Sequence, residues 1–321
     1  MGQILRGFCS SRNKRSKIPD EEAAPSTSIP ESVYIVVMGA TGSGKTTFIN
    51  LASGSDLRVG MGLESCTNEV QVAQPFELGG RSVVLIDTPG FDDTTKSDTD
   101  VLKMIAAHLV TPYSQGVKLS GVIYMQRISD LKMGGASRRD FQMFQELCGE
   151  ESYQNVVICT NMWNSVNKDD AEAREQELRS KDIFFKPILD KGAQLCRHDN
   201  SLESAQTILR SLVAKSLTVL RIQRELVDEK KDITQSAAFA ELNRELMDQA
   251  ERHRQELETL RTEMEAAAQA QDEETRIELQ EEAEQMEAEL LRVQTEAQRL
   301  ASEYEAELKR IEYEVRERER R

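Results

Sequence analysis

The chain has 321 residues, 30% of them charged, and a formal net charge of −15. So acidic a balance argues against nonspecific nucleic-acid binding. It also lacks a run of about 20 apolar residues that would span a bilayer. Five cysteines, Cys9, Cys66, Cys148, Cys159 and Cys196, are scattered without metal-ligand spacing and read as reduced thiols of a cytoplasmic protein.

In chain order, residues 1–32 read as a basic leader and a disordered linker. Gly2, Cys9 and the basic residues up to Lys17 suit acylation with a polybasic patch, hence peripheral membrane contact. Arg6 stands where the acylation pattern wants Ser or Thr, and a plain basic leader is the competing reading. "IPDEEAAPSTSIPES" then has linker composition. Residues 33–220 alternate short β-branched runs with amphipathic stretches. The runs at 33–38, 82–87, 121–125 and 155–160 are nearly continuous, as strands buried on both faces require. Helical patterns fall at 45–53, about 99–110, 137–147, 168–180 and 201–220. This alternation predicts an α/β domain with a mostly parallel sheet and helices on both faces.

"GATGSGKT" follows the first run and opens a helix, the strand–loop–helix context of a phosphate-binding loop. Backbone N–H groups of Gly39, Ala40, Thr41, Gly42, Ser43 and Gly44 and the helix N-terminus would cradle phosphates. Lys45 would reach the β- and γ-phosphates, Thr46 would offer its hydroxyl to Mg²⁺, and Thr47 completes the cradle. In "VVLIDTPGF" a buried strand delivers Asp87 for the metal and Gly90 for the γ-phosphate. Between these motifs Thr67, with Ser65 competing, is the candidate that closes over the metal.

These motifs, with "VVICTNMWNSV" at 156–166, resemble a small translation-factor-type GTPase domain. Within that class the likeness is to the septin, chloroplast-import-receptor and immunity-associated group, nearest to fungal G-domain proteins with a helical tail. The resemblance covers about residues 33–215. It implies a P-loop NTPase G domain with a six-stranded sheet, one antiparallel pair formed by about 69–78 and 82–87, GTP or GDP with Mg²⁺ as ligand, and G domains that dimerise across the nucleotide. It places Asn161, Met162 and Asn164 in the base-reading loop, with Arg197, His198 or Asn200 on the base side and His198 free to stack. Two departures stand out. Phe91 replaces the usual water-positioning glutamine, which implies slow hydrolysis unless Asp92, Asp93, Thr94 or a second subunit substitutes. Met162 and Asn164 replace a lysine and an aspartate. An amide at 164 faces one guanine donor with a donor of its own, at a cost of about 1–3 kcal/mol.

Residues 221–321 are rich in helix formers. Ala283, Met286, Leu290, Val293, Ala297, Leu300 and Tyr304 make a heptad seam, and a long coiled coil, with homodimerisation through it or through the G domain, is the reading. A solvated charged helix is the alternative. The function expected is a Mg²⁺-dependent guanine-nucleotide switch with slow hydrolysis, its state relayed through dimerisation and the tail. A non-hydrolysing nucleotide-binding scaffold is the runner-up, and an ATP-using P-loop enzyme is disfavoured by the short Asp-Thr-Pro-Gly element.

Overall fold

The computed structural model describes residues 32–58, 69–91, 96–131, 133–270 and 273–319. Gly2, Arg6, Cys9, Ser65, Cys66, Thr67, Asp92, Asp93 and Thr94 lie outside the described residues. The elements run β1 (Val33–Gly39), α1 (Lys45–Ser53), β2 (Gln71–Val72), β3 (Phe76–Leu78), β4 (Arg81–Asp87), α2 (Asp98–Ser114), β5 (Leu119–Arg127), α3 (Gly135–Cys148), β6 (Val156–Asn161), α4 (Lys168–Ser180), α5 (Lys186–Asp190), β7 (Gln194–Arg197) and α6 (Leu202–Val213). The sheet order is β2-β4-β1-β5-β6-β7, with β3 also paired to β4. The five strands β4, β1, β5, β6 and β7 are parallel, while β2 and β3 are antiparallel to β4.

The sheet has seven strands where six were expected, because the segment 69–78 breaks in two. Pro75 lies in the break and has no N–H for the ladder, although Ala73 still donates to the Leu85 carbonyl at 2.9 Å.

Period-two alternation sends each strand's side chains to two apolar layers. Val33, Ile35 and Val37 pack with Phe48, Ile49 and Leu209 of α1 and α6. Val36 and Met38 pack on the other face with Leu102, Ile105 and Phe144 of α2 and α3. Each such fully buried side chain contributes about 1.5–3 kcal/mol. Continuous burial of β6, and of β1 apart from half-buried Tyr34, explains why their sequences lack polar alternation.

Residues 221–242, which composition groups with the tail, pack on the globular part. They comprise α7 (Arg221–Gln223), a π-turn to Asp228, a 3₁₀ turn at Ile233–Gln235 and α8 (Ala237–Leu242). Ile222, Ile233 and Phe239 enter the α2/α3 layer, and the buried Gln223 amide donates to the Leu109 carbonyl at 2.9 Å. Ala238 is buried with them, and Leu226 and Leu242 pack against the same layer, so apolar side chains spaced along a polar stretch dock it.

The last two helices, α9 (Arg244–Ala270) and α10 (Glu273–Glu319), lie against one another. Arg261 of α9 pairs with Glu287 of α10 at 3.2 Å. The helix α10 then runs onto α2. Leu300, Tyr304 and Ile311 are buried in the α2/α3 layer, and Lys103 bridges Glu303 at 2.8 Å and Asp100 at 3.1 Å. Near the end of α10, Arg310 lies 3.7 Å from Glu69, just before β2. Two members of the heptad seam, Leu300 and Tyr304, thus find their partner in the same chain. A cavity of about 420 Å³, lined by Ile311 together with Tyr34, Val70, Leu109 and Pro112, leaves this end of the seat incompletely filled. No helix of the described residues is long and apolar enough to cross a membrane.

Candidate functional site

Parallel pairing of β1 with β4 sets Val37 beside Asp87, so the loop leaving β1 and the carboxylate ending β4 emerge at one sheet edge. The loop turns through Gly39, Gly42 and Gly44, all at positive φ. The N–H of Ser43 closes on the Ala40 carbonyl at 3.2 Å, and α1 begins with Phe48 N–H bonded to the Gly44 carbonyl at 2.9 Å. Lys45 folds back over the loop, its Nζ donating to the carbonyls of Gly39 at 2.9 Å and Ala40 at 3.1 Å. Thr47 is exposed on the first turn of α1.

Thr46 donates its hydroxyl to Asp87 Oδ2 at 2.6 Å. Asp87 is fully buried. Desolvation holds its carboxyl above the usual range, against the opposing pull of the Thr46 hydrogen bond and the Lys45 charge. Three buried oxygens here have no partner within the protein: Thr41 Oγ1, Ser43 Oγ and Asp87 Oδ1. Buried polar groups are normally satisfied, so this concentration marks a place for a polar ligand. The donor set, a hydroxyl and a carboxylate oxygen in contact, fits Mg²⁺, a hard cation that keeps water and phosphate oxygens as its other ligands. Among the described residues no cluster of three or more His, Cys, Asp or Glu could hold a metal. A cation here would therefore lean on Thr46, Asp87 and the phosphates it accompanies.

Gly90 comes down onto the loop, and Thr41 N–H donates to the Phe91 carbonyl at 3.0 Å. A Cβ at position 90 would stand 2.4 Å from Thr41 N and from Thr41 Oγ1, so only glycine lets the two loops touch. Phe91 is 0% exposed and packs in the α2/α3 layer. Its ring points into the core, and position 91 supplies no side chain to a water near the phosphates.

On the base side, Asn161 ends β6 and is buried. Its Nδ2 donates to the Ser43 carbonyl at 3.3 Å and its Oδ1 accepts from Met162 N–H at 2.7 Å. A Cβ on Gly44 would meet that Nδ2 at 2.5 Å. Asn161 therefore ties base loop to phosphate loop. Met162 adopts the left-handed conformation at φ 63° and precedes the short turn Trp163–Ser165, where Asn164 is exposed. Trp163 is anchored through Nε1 to the Thr160 carbonyl at 3.1 Å, and the Arg197 guanidinium carbon sits 4.2 Å from its ring centroid. Asn200 takes the left-handed conformation at φ 64° in the loop after β7.

His198 does not line an open base site. It is 1% exposed, packs edge-on to Phe48 with centroids 5.0 Å apart and pairs Nδ1 with Ser204 Oγ at 2.7 Å. Burial lowers its pKa, and stacking on a ligand would require leaving this seat. Its strand-end position drew attention in the sequence, but the apolar face of α1 claimed the ring. Arg127 closes the buried strand β5 at the sheet's C-terminal edge, where ligands of open α/β sheets bind, and its basic side chain there is the sequence signal for a further site residue. Burial also holds the Cys148 and Cys159 thiols well above their ordinary range, so neither is a thiolate nucleophile.

Residues 34–161 match the family model described as 50S ribosome-binding GTPase. Together with the phosphate loop and the Thr46–Asp87 pair, this match supports an α/β fold of the P-loop GTPase type in the globular part, followed by a helical C-terminal region. Among known proteins, the chain is similar to GTP-binding protein A of Dictyostelium discoideum, 28% identical over 139 residues, 42% of this chain and 29% of that protein. It is also similar to GTPase Der of Paracidovorax citrulli (strain AAC00-1), 24% identical over 185 residues, 58% of this chain and 39% of that one. The chain thus spans under two fifths of either relative's length. Toc33 from Arabidopsis thaliana in complex with Mg²⁺ and GMPPNP superposes with a TM-score of 0.46 at 16% identity, covering 59% of this chain and 88% of that structure. The G domain of the Thermotoga maritima FeoB iron transporter gives a TM-score of 0.36 at 16% identity, over 57% and 97%.

Proposed function

We propose that the chain is a Mg²⁺-dependent guanine-nucleotide switch with slow hydrolysis, of the group that joins septins, chloroplast import receptors and immunity-associated GTPases, whose helical tail reads the nucleotide state. The observation that carries this reading is the seat of α10 on α2. The helix α2 follows the Asp87-Thr88-Pro89-Gly90 element, which would sense the γ-phosphate, and α10 is bound to α2 through Leu300, Tyr304 and the Lys103–Glu303 pair. Arg310 reaches Glu69 at the other flank of the nucleotide side. A shift of Gly90 toward a γ-phosphate would move α2 beneath the tail. Thr46 and Asp87 hold the cation, Gly39 to Thr47 hold the phosphates, and Thr67 closes over them. Asn161, Met162 and Asn164 face the base. Homodimerisation through the G domain or the tail, and peripheral membrane contact of a cytoplasmic protein through the leader, belong to the same reading.

The burial of Phe91 favours a second reading, a scaffold in which nucleotide is bound but not turned over. Titration calorimetry of the full chain with GTP, GDP, ATP and XTP, followed by phosphate release, separates the two. Equal affinity for GTP and GDP, or none, sinks the switch. Tight GTP binding with no phosphate release establishes the scaffold.

A further inference from the structure

We propose that Arg127 is a positioning residue of the nucleotide site, the cation that braces the phosphate loop against the base loop. This rests on the guanine-nucleotide reading above. Arg127 closes β5, directly opposite Asn161 of β6 in the parallel register. A Cβ built on Gly42 would lie 3.3 Å from Arg127 Nη1, so the guanidinium lies against the exposed crest of the phosphate loop. Asp130 fixes it there, Nε donating to Oδ2 at 3.2 Å with Oδ1 at 3.0 Å.

The turn that follows is bound to the base loop. Ile128 N–H donates to the Asn161 carbonyl at 2.9 Å, and Ser129 Oγ lies 3.7 Å from Met162 Sδ. Arg174 holds the same turn from α4 through the carbonyls of Ile128 and Ser129, at 3.0 and 3.1 Å. One rigid corner therefore connects the guanidinium, Gly42 and Met162.

The chemistry follows from this placement. Met162 brings a thioether, polarizable and uncharged, to the junction of the two loops. A phosphate loop loaded with nucleotide concentrates negative charge, and a planar guanidinium already held by a carboxylate loses little conformational freedom in meeting it. Arg127 thus supplies the positive charge that position 162 lacks, and it acts on phosphate-loop geometry rather than on bond cleavage.

The test uses the full chain and titrations with GTP and GDP. Arg127→Met is expected to weaken both about tenfold to a hundredfold, the loss of one charge-assisted contact, with the unfolding temperature of the nucleotide-free protein unchanged. Adding Met162→Lys to Arg127→Met restores a cation at the same junction and is expected to recover at least half of the logarithmic loss. Unaltered affinity in Arg127→Met overturns the proposal. So does a loss that Met162→Lys leaves unrepaired, since a merely structural role would not be rescued from another strand. If Arg127→Met does not fold, Asp130→Asn serves instead: a loss of about threefold or more is expected when the guanidinium is unpinned, and no change overturns the proposal. A wild-type chain that binds no nucleotide overturns the parent reading and this one with it, whereas binding that ignores Arg127 overturns this one alone.

Discussion

Lys103 and Glu303 stand 2.8 Å apart, 200 residues apart in sequence. Through them the helix that leaves the Asp87–Gly90 loop and the last helix of the chain are held side by side. Burial raises no net obstacle: the pair's hydrogen bonds and opposite charges hold Glu303 below and Lys103 above their ordinary pKa values, desolvation being the first and opposing influence on Lys103. The pair is partly exposed, so its own worth is about 0.2–1 kcal/mol. It sets register, while Leu300 and Tyr304 supply the adhesion.

That division of labour is testable. Leu300→Ala should cost the tail seat about 2–5 kcal/mol, and Lys103→Ala only a few tenths. Hydrogen exchange across 296–311 should accelerate strongly in the first variant and barely in the second, with β1 and β5 protected in both. Equal acceleration in the two would assign the adhesion to the ion pair.

Gly90→Ala should disable the site without unfolding the domain. The new methyl would sit 2.4 Å from the Thr41 backbone nitrogen, and overpacking of this kind costs about 1–3 kcal/mol. Nucleotide affinity should fall at least tenfold while the circular dichroism spectrum is retained. Wild-type affinity in this variant would mean that the two loops do not need to touch.

Asp87 makes a pH prediction. Its folded pKa is raised above the unfolded value, chiefly by desolvation. The folded state therefore favours the protonated acid, and this contribution is fully present below the unfolded pKa and lost as pH rises through the folded one. Asp87→Asn should thus raise the unfolding temperature of the nucleotide-free protein at neutral pH, more than at pH 4, and abolish the stabilisation that Mg²⁺ adds with nucleotide. Thermal scans at both pH values, with and without Mg²⁺ and GDP, check the sign. A fall in stability at neutral pH would refute it.

Asn164→Asp should tighten GTP by about ten- to a hundredfold and improve its ratio over ATP, by replacing a donor–donor clash worth about 1–3 kcal/mol. Competition titration reads the ratio directly. An unchanged ratio would locate base reading elsewhere.

The order of strands and helices was legible because it is local. β-branched runs such as "VYIVVM" and "NVVICT" became β1 and β6, and 45–53 and 168–180 became α1 and α4 within a residue. The break at Pro75 is legible in principle, since proline has no N–H to give a ladder. The phosphate loop was readable because its glycines, lysine and threonine are contiguous. The role of Phe91 was less so: its identity is in the sequence, but whether its ring meets solvent or core depends on the packing of α2. His198 shows the same limit, since a histidine beside a base and a histidine beneath Phe48 look alike in one dimension.

The sequence by itself determined the alternating α/β pattern, the strand–loop–helix that cradles phosphates and the helical nature of the C-terminal region, because backbone preference and side-chain period act over a few neighbours. The tertiary structure alone decided what those helices touch. An apolar seam of Leu300 and Tyr304 accepts any complementary surface, and burial does not specify whether it comes from another copy or the same chain. Here α2 and α9 are covalently tethered, so their effective concentration is high and little association entropy is lost. The same holds for Arg127 and Gly42, 85 positions apart, which meet only because parallel pairing brings the ends of β1 and β5 to one edge.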